Sequence, residues 1–197
     1  MSKETFTDTL RNLIKHGVDP TTRFLYKIGV TANMVTVLGL LVHLPVAWLI
    51  VEGRFRWAAV VGLLSLFDAI DGSLARLDPN HNPNGFGAFL DSTTDRIAEL
   101  LIWGALSVWF YQQGELLYLT LTIATLGGAL MVSYTRSRAE ALGYECKVGI
   151  FTRAERYLTQ CVLGLAARPD LLVIILSIGT WITVIQRMAA VWKQARN

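Results

Sequence analysis

The chain has 197 residues, of which 53% are apolar and 17% charged, and its formal net charge is +3. Soluble domains carry about 25% charged residues, so the composition argues against an ordinary cytosolic protein, a disordered chain or a disulfide scaffold. So small an excess of basic residues on so apolar a chain also argues against nucleic-acid binding. The two cysteines, Cys146 and Cys161, lack metal-ligand spacing and are predicted to be free thiols.

The N-terminal part of the chain is amphipathic. Apolar residues recur at helical spacing at Phe6, Leu10, Leu13 and Ile14, with basic residues between them. This pattern is typical of a helix lying in the membrane surface, and it fits equally well a short helix packed on the cytoplasmic end of a bundle. We therefore expect a juxtamembrane segment at residues 1–32 and a membrane domain at residues 33–197. The terminus lacks the apolar stretch and cleavage site of a signal peptide.

Six hydrophobic stretches follow, each with about the length that a helix needs to cross a bilayer. They are Asn33–Val51, Trp57–Leu77, Phe86–Tyr111, Leu116–Arg138, Phe151–Ala167 and Leu171–Trp192. The links between them are short, so neighbouring helices should be antiparallel. The sequence thus predicts an all-α integral membrane protein with six transmembrane helices, preceded by an N-terminal surface amphipathic helix.

Basic residues predict the orientation of these spans, because the cytoplasmic loops of membrane proteins are enriched in Lys and Arg. With an even number of spans, 15 of the 18 Lys and Arg residues fall on the same side as the two termini. The opposite side has only Arg54, Arg56 and Arg168. We therefore expect a multi-pass protein of the cell (plasma) membrane whose termini and functional site are cytoplasmic.

Four aspartates lie in the second and third spans, although a charge at the centre of a bilayer costs roughly 2.5–3.5 kcal/mol. Asp68 and Asp71 share one stripe of their helix. Asp91 and Asp95 share a stripe of the next helix with Gly87. Facing carboxylates in a partly dry cleft repel one another unless they are neutralised, and Mg²⁺ or Mn²⁺ prefers such oxygen ligands. The pattern therefore predicts a divalent-metal site.

Small residues and one arginine accompany the aspartates. Gly72, Ala75 and Gly87 leave room for a bulky group, and Arg76 suits a phosphate oxygen. Together with metal ions, these residues indicate phosphoryl transfer at the membrane surface. A cation or proton transporter and a structural membrane scaffold are the alternatives. The aspartates lie near basic links rather than at the midplane, which favours the surface site.

The order of these residues resembles the signature of the CDP-alcohol phosphotransferases. In this chain the pattern reads Asp68-x2-Asp71-Gly72-x2-Ala75-Arg76, followed by Gly87-x3-Asp91-x3-Asp95. Members of that family are integral membrane enzymes that join an alcohol to a CDP-activated lipid or polyol and release CMP. The link from Arg76 to Gly87 is two residues longer than in the family pattern, and Ala32 stands where the family often has proline.

The resemblance implies a cofactor, an assembly and roles for individual residues. The cofactor would be Mg²⁺ or Mn²⁺, as two ions, and the assembly a homodimer. Asp68, Asp71 and Asp91 would be metal ligands, and Asp95 would be both a metal ligand and the general base. The residues implied to bind the CDP donor are Asn33, Thr36, Gly72, Ala75, Arg76 and Gly87. Glu99 is interpreted as a structural partner of Arg96 rather than a ligand.

Five basic residues cluster around the link between the fourth and fifth spans: Arg136, Arg138, Lys147, Arg153 and Arg156. They fit a pocket for a dianionic phosphate, although cytoplasmic topology and attraction to anionic lipid also explain such a cluster. The R-x-R-A-E and T-R-A-E-R patterns resemble the phosphatidylinositol-phosphate synthase branch of the family. The resemblance implies that the acceptor phosphate is bound by Arg136, Arg138, Arg153 and Arg187.

The expected reaction is transfer of a phosphatidyl group from CDP-diacylglycerol to a phosphorylated polyol, with inositol phosphate as the first candidate. Two alternatives stay within the family. Glycerol 3-phosphate as acceptor would give phosphatidylglycerophosphate, and CDP-inositol as donor with inositol phosphate would give di-inositol phosphate phosphate. The other expected partner is membrane lipid.

Overall fold

The computed structural model describes residue 22, residues 25–63, residue 74 and residues 85–196. Within these ranges the protein is all-helical and has no strand. The helices whose bounds are described are α1 Ala32–Val51, α2 Phe55–Leu63, α3 Phe86–Gln112, α4 Leu116–Ala141, α5 Arg153–Leu165 and α6 Pro169–Gln194. The predicted surface helix of residues 3–16 lies outside the described residues.

For five of the six predicted spans the helix bounds agree to within a few residues. For the second span, Trp57–Leu77, the structure describes only the first part, as α2, and the predicted end lies outside the described residues. Helices α3 and α4 begin at the predicted residues Phe86 and Leu116, and α1 ends at the predicted Val51. Of the described helices, α1, α4 and α6 are long and apolar enough to cross a membrane. This confirms the all-α class in the described part of the chain and identifies three of its helices as candidate membrane spans.

Local signals explain where several helices begin. The Thr31 hydroxyl accepts a hydrogen bond from the Met34 amide at 3.3 Å. A threonine cap therefore starts α1, although Ala32 stands where the family often has proline. Pro169 occupies the first turn of α6, where its missing N–H costs nothing. At α5, Thr152 stands at the cap position and its hydroxyl donates to the Glu155 carboxylate. The T-R-A-E stretch therefore marks the start of a helix.

The chain divides into two compact units, Met1–Val42 with Leu64–Asp95 and His43–Leu63 with Arg96–Asn197. The second unit has a hydrophobic core to which α1, α2, α3 and α6 contribute. Its buried centre includes Val46, Ile50, Trp103, Leu106, Phe110, Val173 and Leu176. Phe55 packs edge-on against Trp109 at a centroid distance of 4.7 Å, which joins the start of α2 to the end of α3.

Small residues let the helices of the second unit approach closely. Gly128 on α4 lies directly against Thr180 on α6, and the Trp181 indole donates to the Ala124 carbonyl at 3.0 Å. Gly164 on α5 lies against Ala59 on α2, since a Cβ at Gly164 would be 3.0 Å from the Ala59 Cβ. Small residues at these contacts thus bring α4 close to α6 and α5 close to α2.

Candidate functional site

Two of the four predicted metal-binding aspartates lie on the first three turns of α3. Gly87, Asp91 and Asp95 follow one another at four-residue intervals, so they share one face of this continuous helix. Both carboxylates are half-buried. Nearby hydroxyls bond within the helix: Thr94 donates to the Asp91 carbonyl at 2.9 Å. This face therefore presents two partly desolvated acids, as the spacing predicts.

The start of α1 contributes the residues predicted near the nucleotide. A Cβ at Gly87 would lie 3.2 Å from the Asn33 Oδ1, so the Asn33 side chain occupies the space that this glycine leaves. Thr36 is buried, and its hydroxyl donates to the Ala32 carbonyl at 3.1 Å. The structure thus brings together Asn33 and Gly87, two predicted donor-binding residues from spans that are separate in the sequence.

The carboxylate oxygens on this face of α3 are suitable ligands for a divalent cation. Carboxylates one helical turn apart can supply the oxygen ligands that Mg²⁺ and Mn²⁺ prefer. Their partial burial gives a reason for a positive ion beside them. Among the residues the structure describes, no group of three or more potential metal ligands occurs. The remaining residues predicted to bind the metal ions and the CDP donor lie outside the described residues: Asp68, Asp71, Gly72, Ala75 and Arg76.

Three of the predicted acceptor-binding arginines are exposed at the end of α4 and the start of α5. Arg138 lies in the last turn of α4, and Arg153 is the first residue of α5. The Arg136 Nε donates to the Glu140 Oε1 at 2.8 Å along α4. Arg136 therefore has a carboxylate partner one turn away, an exposed pair of the kind that contributes little to stability.

The fourth predicted acceptor-binding residue, Arg187, is buried in the last third of α6. It is only 3% exposed. Its Nε donates to the Val148 carbonyl at 3.0 Å, and its Nη1 donates to the Val132 carbonyl on α4. Arg187 thus ties α6 to α4 and to the connection between α4 and α5. Its role in binding phosphate stays a prediction.

That connection, residues 142–152, is held along α6 by polar side chains that the sequence analysis did not single out. Thr183 accepts from the Phe151 amide at 2.9 Å, and Gln186 accepts from the Ile150 amide at 3.1 Å. Gln194 accepts from the Glu145 amide at 3.0 Å. Polar residues recurring in an otherwise apolar span were the signal that could have revealed these anchors.

A buried ionic network joins α3 to α5. The predicted pairing of Glu99 with Arg96 is confirmed, with 3.4 Å between the Arg96 Nε and the Glu99 Oε2. The other oxygen, Glu99 Oε1, lies 2.5 Å from the Arg156 Nη2. Arg156 is only 2% exposed, so it differs from the other arginines of the basic cluster. No local spacing indicates a partner 57 positions away.

The family model and the similar sequences point to the same protein family. The sequence model of the CDP-alcohol phosphatidyltransferases matches residues 29–192. An archaetidylinositol phosphate synthase of Methanothermobacter thermautotrophicus is 33% identical over 98% of this chain and 97% of its own length. A phosphatidylinositol phosphate synthase of Corynebacterium glutamicum is 32% identical over 89% of this chain and 84% of its own.

Solved structures of a Mycobacterium tuberculosis phosphatidylinositol phosphate synthase have the same fold. The structure with CDP-DAG bound matches with a TM-score of 0.80 and 29% identity, over 89% of this chain and 93% of that one. A structure of the same enzyme with manganese and citrate gives a TM-score of 0.79 and 28% identity, over 89% of this chain and 88% of the other.

Proposed function

Because the chain belongs to the CDP-alcohol phosphatidyltransferase family, we propose that it transfers a phosphatidyl group from CDP-diacylglycerol to a hydroxyl of inositol phosphate. The products are phosphatidylinositol phosphate and CMP. The carboxylate pair of Asp91 and Asp95 on one face of α3 carries the catalytic part of the proposal. The names of the relatives, inositol phosphate lipid synthases from both archaea and bacteria, support the acceptor.

We assign the donor side to the aspartates and the small residues beside them. Asp68, Asp71, Asp91 and Asp95 hold two Mg²⁺ or Mn²⁺ ions, an assignment supported by the manganese in the M. tuberculosis enzyme. When bound, such ions stabilise negative charge on a pyrophosphate. The residues that bind the CDP group are Asn33, Thr36, Gly72, Ala75, Arg76 and Gly87. Asn33 and Gly87, which lie side by side, line its approach.

The proposed reaction needs one general base and one leaving group. Asp95 accepts the proton of the inositol hydroxyl, and the resulting oxygen attacks the phosphorus that carries the diacylglycerol. A new oxygen–phosphorus bond forms as the bond to the CMP oxygen breaks. Arg76 binds a phosphate oxygen of the departing CMP. Arg136, Arg138, Arg153 and Arg187 bind the phosphate that the acceptor already carries.

We propose a topology in which the chain crosses the cell membrane six times with both termini and the reaction on the cytoplasmic side. Residues 1–32 form the juxtamembrane amphipathic segment, and residues 33–197 form the membrane domain. The three apolar helices α1, α4 and α6 support this assignment. A homodimer is the proposed assembly.

CMP release by the purified protein tests the reaction. We expect turnover with CDP-diacylglycerol and inositol phosphate in the presence of Mg²⁺ or Mn²⁺, and none after chelation by EDTA. Inositol without its phosphate should not replace inositol phosphate. Turnover only with glycerol 3-phosphate would make the protein a phosphatidylglycerophosphate synthase, and turnover only with CDP-inositol would make it a di-inositol phosphate phosphate synthase. The assay should also include an archaetidyl donor, because the M. thermautotrophicus relative is named an archaetidylinositol phosphate synthase.

The transporter hypothesis is tested with the same preparation. In proteoliposomes it requires cation or proton flux without nucleotide chemistry. CMP release that depends on an acceptor alcohol, with no accompanying flux, supports the phosphatidyltransferase.

Replacing Arg138 with alanine is expected to raise the KM for inositol phosphate by about 10-fold or more, because a charge-assisted hydrogen bond contributes about 1.5–3 kcal/mol. The KM for CDP-diacylglycerol should stay unchanged. The matched control is Arg54→Ala, which removes an exposed arginine from the side predicted to be extracellular. A normal acceptor KM in Arg138→Ala contradicts the assignment of Arg138.

A further inference from the structure

We propose that Glu99 is a positioning residue for acceptor binding, which acts by holding Arg156 and, through it, the start of α5. The inference rests on the proposed function, because it concerns the acceptor side of that reaction. It assigns a task to a carboxylate that the reaction itself does not use.

Burial makes the pair between Glu99 and Arg156 obligatory. The side chain of Arg156 is 2% exposed and that of Glu99 is 13% exposed. A guanidinium so far from solvent is stable only beside an opposite charge, and removing one partner of such a pair leaves the other charge uncompensated. Glu99 also has Arg96 at 3.4 Å, so a single carboxylate serves two guanidinium groups.

Arg156 also forms hydrogen bonds with the residues that precede α5. Its Nη1 donates to the Phe151 carbonyl at 3.3 Å, and its amide donates to the Thr152 carbonyl at 3.1 Å. The Phe151 amide in turn donates to Thr183 on α6. A chain of polar contacts thus runs from α3 through the first turn of α5 to α6.

Arg153 lies in this same first turn, three residues before Arg156 and on the exposed side of the helix. Its guanidinium is a predicted ligand of the acceptor phosphate. If Glu99 no longer holds Arg156, the first turn of α5 loses its link to α3, and Arg153 is displaced with it. Glu99 therefore acts through another residue, since guanidinium groups contact both of its oxygens.

Steady-state kinetics of a Glu99→Gln variant give the first test. We expect the KM for the acceptor to rise about 10-fold, because displacements of about 1 Å suffice for such effects. The KM for CDP-diacylglycerol and the kcat at saturating acceptor should remain close to wild type. The matched control is Asp170→Asn, which removes a carboxylate from the exposed ion pair with Arg168. Unchanged acceptor KM, or a fall in kcat alone, overturns the inference.

A double variant separates positioning from general destabilisation. If Glu99 acts through Arg156, the variant carrying both Glu99→Gln and Arg156→Met should have an acceptor KM no higher than that of Arg156→Met. Multiplicative effects of the two substitutions contradict this. A lower unfolding temperature in detergent with unchanged acceptor KM would leave Glu99 a purely structural role and overturn the inference.

Hydrogen exchange separates this inference from the proposed function, because it needs no substrate. In Glu99→Gln, amides of residues 150–156 should exchange about 10-fold faster, whereas those of residues 116–132 should not change. Unchanged exchange at residues 150–156 overturns the inference. If the wild-type protein does not use inositol phosphate, only the proposed function is refuted. The KM of wild type and Glu99→Gln is then compared with the acceptor that the CMP-release assay identifies.

Discussion

Replacing Asp95 with asparagine is expected to lower CMP release by at least about 100-fold, because general-base catalysis by a positioned side chain contributes about 10²–10⁴ in rate. The amide has nearly the size of the carboxylate but can neither accept the proton nor supply a negatively charged metal ligand. The measurement is initial-rate CMP release with CDP-diacylglycerol and inositol phosphate at saturating Mg²⁺.

The control for this substitution is Asp170→Asn, the same chemical change at the start of α6, where the carboxylate pairs with Arg168. It should retain nearly full activity. An Asp95→Asn protein that keeps its fold and more than about a tenth of the wild-type rate would exclude Asp95 as the general base.

Replacing Gly128 with alanine is expected to disrupt the packing of α4 against α6. The added Cβ would overlap the Thr180 hydroxyl and lie 2.8 Å from the Thr180 Cβ. Thr180 has no room to move, since it is fully buried and its hydroxyl donates to the Leu176 carbonyl at 2.7 Å. Overpacking of this kind lowers the free energy of unfolding by about 1–3 kcal/mol. Thermal unfolding in detergent measures the change.

The neighbouring glycine provides a matched control. A Cβ at Gly127 would be 3.7 Å from the Trp181 Cζ2, an ordinary contact distance. Gly127→Ala should therefore be neutral or stabilise α4, because alanine is favoured over glycine in a helix by about 1 kcal/mol. Equal unfolding temperatures for the two variants would contradict the close approach of α4 and α6 at Gly128.

Helix bounds were predictable wherever an apolar stretch meets a local stop signal. The starts of α3 and α4 follow turn-rich links, and Thr31 caps α1. The prediction was less accurate at the fifth span, which was expected to begin at Phe151. Helix α5 begins at Arg153 because Thr152 has the extended backbone of a cap residue, with φ −72° and ψ −175°. The Phe151 amide, just before this cap, is bonded to Thr183 on α6. No pattern near Phe151 indicates that tertiary contact.

The environments of the arginines were much less predictable than their positions. From the sequence, Arg153 and Arg156 belong to one basic cluster. The structure exposes Arg153 and buries Arg156 against Glu99. The structure also shows the Arg187 guanidinium bonded to the carbonyls of Val132 and Val148, partners that its sequence context does not indicate. These differences depend on which helix faces each side chain.

By itself the sequence determined the all-helical class of the described residues, three of the six predicted membrane spans as candidates, and the stripe of Gly87, Asp91 and Asp95. Hydrophobic length and four-residue spacing are local properties of a helix. Only the tertiary structure decided that Glu99 meets Arg156 and that α6 anchors the connection before α5. Those partners come from helices distant in the chain, and packing and desolvation select them rather than spacing.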